Sequence, residues 1–350
     1  MTDSEDILLE LNRQQKEAVV NITGPLLVVA GAGSGKTKVI THRIAHMIQQ
    51  GVPPRNILSI TFTNKAAGEM KSRVEKLVGP RSGGMWICTF HSMCARILRS
   101  EADRLGYDNN FTIYDTSDAK GVIRKIMNAL NIDKRDYKPN VFLSAISRAK
   151  TEMISPGEFV ADFRDPKLSE LVTEVYAEYE DELRAGNAID FDGLLFNTVT
   201  LFNDHPDVLE KYRDRFPYIL IDEYQDTNHP QYMIVRLLAG NRGNVCAVGD
   251  PDQSIYTWRG ATIENILNFE KEFQGAVVVN LEKNYRSTQK ILNASNHLIQ
   301  NNIGRKEKKL WSDLGNGDPV EIHPYDSDRD EAMGIAADIR GHVSAGGTYG

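Results

Sequence analysis

Cysteine is scarce: the 350 residues include three, Cys88, Cys94 and Cys246, too scattered for a disulfide framework or a paired zinc motif. A reducing compartment suits such a chain. No apolar run approaches the ~20 residues that a membrane helix needs, and the opening Met1-Thr2-Asp3-Ser4-Glu5-Asp6 is acidic where a secretory leader carries positive charge. These absences predict a cytoplasmic protein with no membrane partner. Basic residues are not in excess either, since 41 Lys and Arg stand against 48 Asp and Glu and leave a net charge of −7. A field of that sign repels phosphate, so any nucleic acid must bind through a local groove. Internal repeats and low-complexity tracts are also missing. What remains, 41% hydrophobic and 25% charged residues, is the composition of a globular protein, with room for two or three domains at about 100–200 residues each.

The first 110 residues alternate short apolar runs with helical patterns. Leu26-Leu27-Val28-Val29-Ala30 reads as a strand, followed by a glycine loop and a helix carrying Val39, Ile40, Ile44, Met47 and Ile48. A second unit follows, with Ile57 to Phe62 as strand and Ala66, Met70, Val74, Leu77 and Val78 at helical spacing, then a third strand near Met85 to Thr89. Such alternation predicts an α/β fold with a parallel sheet covered on both faces. From about 110 to 205 the strand signal fades and apolar residues recur with helical period at Val122, Ile126 and Leu130 and from Leu168 to Leu183, which predicts an all-helical insertion. Strand signals return at 218–221, 245–248 and 276–279. The last 70 residues begin a further unit: a helix with Ile291, Ala294 and Leu298, the basic stretch Arg305-Lys306-Glu307-Lys308-Lys309 and a strand at Val320-Glu321-Ile322-His323.

Ala30-Gly31-Ala32-Gly33-Ser34-Gly35-Lys36-Thr37 matches the phosphate-loop pattern GxxxxGK[ST], except that Ala30 holds the first glycine position. Glycines let successive N–H groups turn inward as an anion cradle, and the helix starting near Gly35 aims its positive end at the same spot. Lys36 then reaches the outer phosphates, and Thr37 offers a hydroxyl to Mg²⁺. A distant carboxylate must complete the metal site. Asp222, at the end of the apolar run Tyr218-Ile219-Leu220-Ile221, is the candidate, and Glu223 beside it is placed to take a proton from an attacking water.

Seven stretches now resemble the UvrD/Rep/PcrA type of superfamily 1 DNA helicase: residues 11–15, the loop 30–37, Thr61 to Ala67, Thr89-Phe90-His91-Ser92, Ile221 to Thr227, Val248 to Ala261 and Leu281 to Ser287. The resemblance implies a RecA-like parallel-sheet phosphate-loop domain with a helical insertion and the start of a second RecA-like domain. Residues 1–110 and 205–280 would form the first motor domain (its ATP-binding module spanning about 8–288), 110–205 the insertion and 281–350 the incomplete opening of the second domain. ATP and Mg²⁺ are the implied cofactors. By the same resemblance Gln15 reads the adenine edge, Tyr285 stacks on the adenine ring, Arg286 reaches the γ-phosphate and Gln253 sits beside that phosphate and the attacking water, while Lys38 takes a place near the base. Tyr256, Trp258 and Arg259, with Phe62, Asn64 and His91, resemble single-strand contacts. Phe62 inside the core and His91 as a satisfied core histidine are the alternatives.

Implied partners are single-stranded DNA and duplex junctions, with 3′ to 5′ movement in repair or replication. Three positions depart from the family pattern: Lys38 replaces an arginine, Lys283 a glutamine, and Gly193 stands where a second acidic residue is usual, leaving the roles of Asp190 and Asp192 open. Later family motifs do not occur before Gly350, so the resemblance makes the chain an N-terminal portion that alone binds ATP weakly and does not unwind. The motor of a helicase–nuclease, an ATP-switched DNA-binding module and a small-molecule kinase are the rival readings.

Overall fold

A computed structural model describes residues 6–160, 162–302 and 305–349. The acidic opening segment, residues 1–5, and Gly350 lie outside the described residues. Six strands make one parallel sheet: β1 Leu26–Ala30, β2 Ile57–Thr61, β3 Trp86–Thr89, β6 Tyr218–Ile221, β7 Val245–Gly249 and β8 Val277–Leu281, in the order β3-β2-β6-β7-β1-β8. The inner strands β1, β2 and β7 are buried along their whole length, whereas β8 at the edge alternates buried and exposed residues. That difference follows from position, because only an inner parallel strand is covered on both faces and flanked on both sides. Along β1, Leu27 and Val29 point into one core while Leu26, Val28 and Ala30 point into the other, so each face of the sheet has its own apolar layer.

Every strand of this sheet runs the same way, and the loops at the carboxyl ends gather at one edge, where open α/β sheets bind ligands. The segments after β1, β2, β3, β6, β7 and β8 carry Gly31 to Lys36, Phe62 to Asn64, His91, Asp222 and Glu223, Asp250 to Gln253, and Glu282 to Arg286. Two of these junctions are sharpened by caps. Thr63 accepts from the Ala66 N–H to start the helix Asn64–Val78, and Thr89 accepts from the Ser92 N–H to start the helix Phe90–Ser100.

Helices Thr116–Ala129, Pro139–Thr151 and Pro166–Ala185 bury Ile123, Ile126, Phe142, Ile146, Val172, Val175 and Tyr179 in a third core. The helical reading of 110–205 missed two three-residue strands here, β4 Thr112–Tyr114 and β5 Ala188–Asp190, which pair in parallel. They are too short to show a period. Helix Phe191–Asp204, within the same span, packs Leu194, Leu195, Val199 and Phe202 into the core of the six-stranded sheet instead. The strand expected at 320–323 does not form: these residues have no regular secondary structure and Ile322 is 88% exposed. An apolar alternation favours a strand only when a sheet edge is available to pair with it.

Candidate active site

The phosphate loop leaves β1 and enters the helix Lys36–Gln49 through Gly35, whose φ of 93° is left-handed, as is the φ of 69° at Gly33. Side chains crowd this loop from three sides. A Cβ on Gly35 would lie 2.7 Å from the Gln15 amide, one on Gly33 would meet Asn284 at 2.7 Å and the Arg286 Cβ at 2.8 Å, and one on Gly31 would meet Leu310 at 2.5 Å. Glycine here therefore serves close approach as well as backbone freedom.

Gln15 is buried, donates from Nε2 to the Ser34 carbonyl at 2.9 Å and forms a reciprocal cap with Asn12 at the start of the helix Arg13–Val20. Asn12 also donates to the Tyr285 hydroxyl at 2.8 Å. The Tyr285 N–H donates to the Gly33 carbonyl at 2.9 Å, and Asn284 Nδ2 to the Ala32 carbonyl at 2.6 Å. Gln15, Tyr285 and Arg286 are thus brought to the loop from opposite ends of the chain, with Tyr285 and Arg286 exposed. Lys38 Nζ donates to the Glu10 carbonyl at 2.9 Å, and Lys283 lies 5.1 Å from the Tyr285 ring centre while pairing with Asp313 at 2.6 Å.

Lys36 Nζ meets Glu223 Oε2 at 2.8 Å. Glu223 has a φ of 51°, a left-handed conformation that costs a side-chain-bearing residue roughly 1–2 kcal/mol, and its N–H donates to the Asp222 carboxylate at 3.0 Å. Burial, with the Glu223 charge adding to it, pushes the Asp222 carboxyl up to about 7. The Lys36 charge and the Glu223 N–H only partly offset this rise, and a divalent ion beside the two carboxylates would offset it further. Thr37 stands at the second position of the loop helix.

Gln225 lies within the stretch Ile221 to Thr227, where the sequence gives it no role of its own. It is 1% exposed, donates to Glu223 Oε2 at 2.9 Å and accepts the Asp250 N–H at 2.9 Å, linking the ends of β6 and β7. Gln253 does not touch Glu223 directly; its amide nitrogen donates to Asp250.

Beyond Gln253 the chain becomes aromatic. Phe62 stacks on Tyr256 at 4.5 Å and 27°, so it is half-buried in this cluster rather than sunk in the core. Tyr256 lies 6.4 Å from Trp258, which is 74% exposed, and the Arg259 guanidinium sits 4.6 Å above the indole. His91, half-buried against Phe191 at 5.6 Å, is held below the usual imidazole range by burial and by the Arg259 charge. Asn64 accepts from Ser92. Asp190, left open above with Asp192, caps the helix Phe191–Asp204 through the Gly193 N–H and takes both 2.9 Å contacts from buried Lys150.

Among the described residues no helix is long and apolar enough to cross a membrane. Residues 11–274 match the UvrD/REP helicase N-terminal domain and 279–349 the UvrD-like helicase C-terminal domain. Two similar proteins, each named ATP-dependent DNA helicase PcrA, come from Staphylococcus aureus (strain Mu50 / ATCC 700699) and Staphylococcus epidermidis (strain ATCC 12228 / FDA PCI 1200), at 49% and 48% identity over 98% of this chain. The chain spans about half the length of these curated relatives, 47% in both cases. With phosphate loop, acidic pair and aromatic ridge at one sheet edge and a family model matching most of its length, the chain belongs to the UvrD/REP helicase family.

Proposed function

We propose that this chain carries the motor core of an ATP-dependent DNA helicase that moves 3′ to 5′ on single-stranded DNA and opens duplex junctions in repair or replication, in the cytoplasm. The observation that supports it best is the short path from the Lys36–Glu223 pair through Gln225 and Asp250 to Gln253, five residues ahead of the exposed Trp258. Residues 1–110 and 205–280 act as the first motor domain, 110–205 as an insertion, and 281–350 as the beginning of the second.

In this reading the loop from Ala30 to Thr37 cradles the phosphates of ATP, Gln15 and Tyr285 hold the base beside Lys38, and Lys36 and Arg286 neutralise charge on the transferring group. Thr37 and Asp222 hold Mg²⁺, which supplies charge neutralisation to the phosphates when bound. Glu223 takes the proton from water while Gln253 senses the γ-phosphate. Tyr256, Trp258 and Arg259, backed by Phe62, Asn64 and His91, take successive bases of the strand.

ATP turnover measured with and without an unstructured oligonucleotide tests this. Stimulation by the oligonucleotide is expected, and Glu223→Gln should lower turnover by about 10²–10⁴-fold while nucleotide still binds. Turnover indifferent to DNA points to the kinase reading, and turnover unchanged in Glu223→Gln removes that residue as the base.

A further inference from the structure

The basic stretch 305–309 is only partly solvated: Glu307 and Lys309 are exposed, whereas Lys308 is not. The Lys308 side chain is 4% exposed and its ammonium lies 2.5 Å from Asp250 Oδ1 and 2.5 Å from Asp252 Oδ2, both carboxylate side chains also being buried. Arg305 reaches Asp252 at 3.1 Å, and Leu310 lies against Gly31 of the phosphate loop. Two cations from the segment after β8 thus neutralise two acids on the loop after β7. A buried carboxylate needs such a partner, and a paired group is held in one orientation.

Asp250 divides its two oxygens. Oδ1 takes Lys308 and the Asp252 N–H, and Oδ2 takes the Gln253 amide. A carboxylate only accepts, so the amide nitrogen of Gln253 must face it and the carbonyl oxygen of Gln253 must face away. We propose that Lys308 is a positioning residue for Gln253: by fixing the Asp250 carboxylate it sets which way the Gln253 amide is turned, and so makes a residue of the second sequence unit part of the machinery at the end of β7. The catalytic meaning rests on the reading of Gln253 given above, whereas the positioning itself does not.

Glutamine-selective ¹⁵N labelling gives the test, with the Gln253 side-chain amide resonance assigned by its loss in Gln253→Glu. In nucleotide-free protein, Lys308→Met should shift that resonance toward the position of a solvated glutamine amide, and Asp252→Asn, which leaves Asp250 paired with Lys308, should not. Where Lys308→Met alone does not fold, Lys308→Met/Asp252→Asn keeps the cluster neutral and should show the same shift. A Gln253 resonance unmoved in the folded Lys308 variant overturns the proposal. Adding ATPγS and then ADP to the unsubstituted protein separates the two claims. A resonance that does not distinguish them removes Gln253 as γ-phosphate sensor and leaves the positioning result standing, while a distinction lost in the Lys308 variant joins the two.

Discussion

Glu223 is the residue at which backbone and chemistry conflict. Its left-handed φ of 51° suits glycine, yet a carboxylate at this point is what meets Lys36. Removing the side chain should therefore separate stability from function: Glu223→Gly is expected to melt higher than Glu223→Ala, by the equivalent of about 1 kcal/mol, with neither variant turning over ATP. At an ordinary right-handed position the order of Gly and Ala would be reversed, so a thermal melt of the two proteins decides. Lys36, Thr37, Asp222 and Glu223 stand out in the sequence as candidates because phosphate chemistry calls for those side chains at the ends of apolar strands. Gln225 and Asn284 do not. Each lies within a stretch that carries the resemblance, yet it is a buried amide that ties β6 to β7 or β8 to the loop, and that role shows only once its partners are known.

At the scale of elements, the inner strands were readable because they are short, mostly apolar runs rich in Leu, Ile and Val, bounded by turn, polar or acidic residues. β4 and β5 fell below that threshold, and the span 320–323 shows the converse error, an apolar alternation with no neighbour to pair. What ties the helical unit together was likewise invisible. Lys150 from one helix is buried against Glu180 of a second at 2.6 Å and Asp190 of β5 at 2.9 Å, with Tyr179 donating to Asp190 at 2.8 Å. Burial raises the Glu180 carboxyl, and the neighbouring Lys150 charge works against that rise. Breaking such a cluster from one side strands buried charge. Lys150→Met is expected to cost about 3–5 kcal/mol, read as a lower denaturant midpoint, and Lys150→Met/Asp190→Asn should recover part of it. An unchanged midpoint in the single variant would mean that the cluster is hydrated and adds nothing to stability.

Across the whole molecule a net charge of −7 opposes any polyanion, and the ridge proposed to take a strand is aromatic, with Arg259 lying over both Tyr256 and Trp258. Stacking and counterion release should therefore come apart experimentally. Stacking a base on an aromatic face is worth about 1–3 kcal/mol and is nearly independent of salt, whereas each phosphate neutralised on a single strand adds about −0.7 to the slope of log affinity against log salt. Trp258→Ala is expected to weaken oligothymidylate binding by roughly 5- to 150-fold at every salt concentration and to leave the slope as it was. Arg259→Ala should weaken binding most at low salt and flatten the slope by about 0.7. Fluorescence anisotropy of a labelled oligonucleotide at four or five salt concentrations reads both quantities. A slope that changes with Trp258 but not with Arg259 would show that the strand lies elsewhere on the sheet edge, since the indole has no charge with which to release an ion.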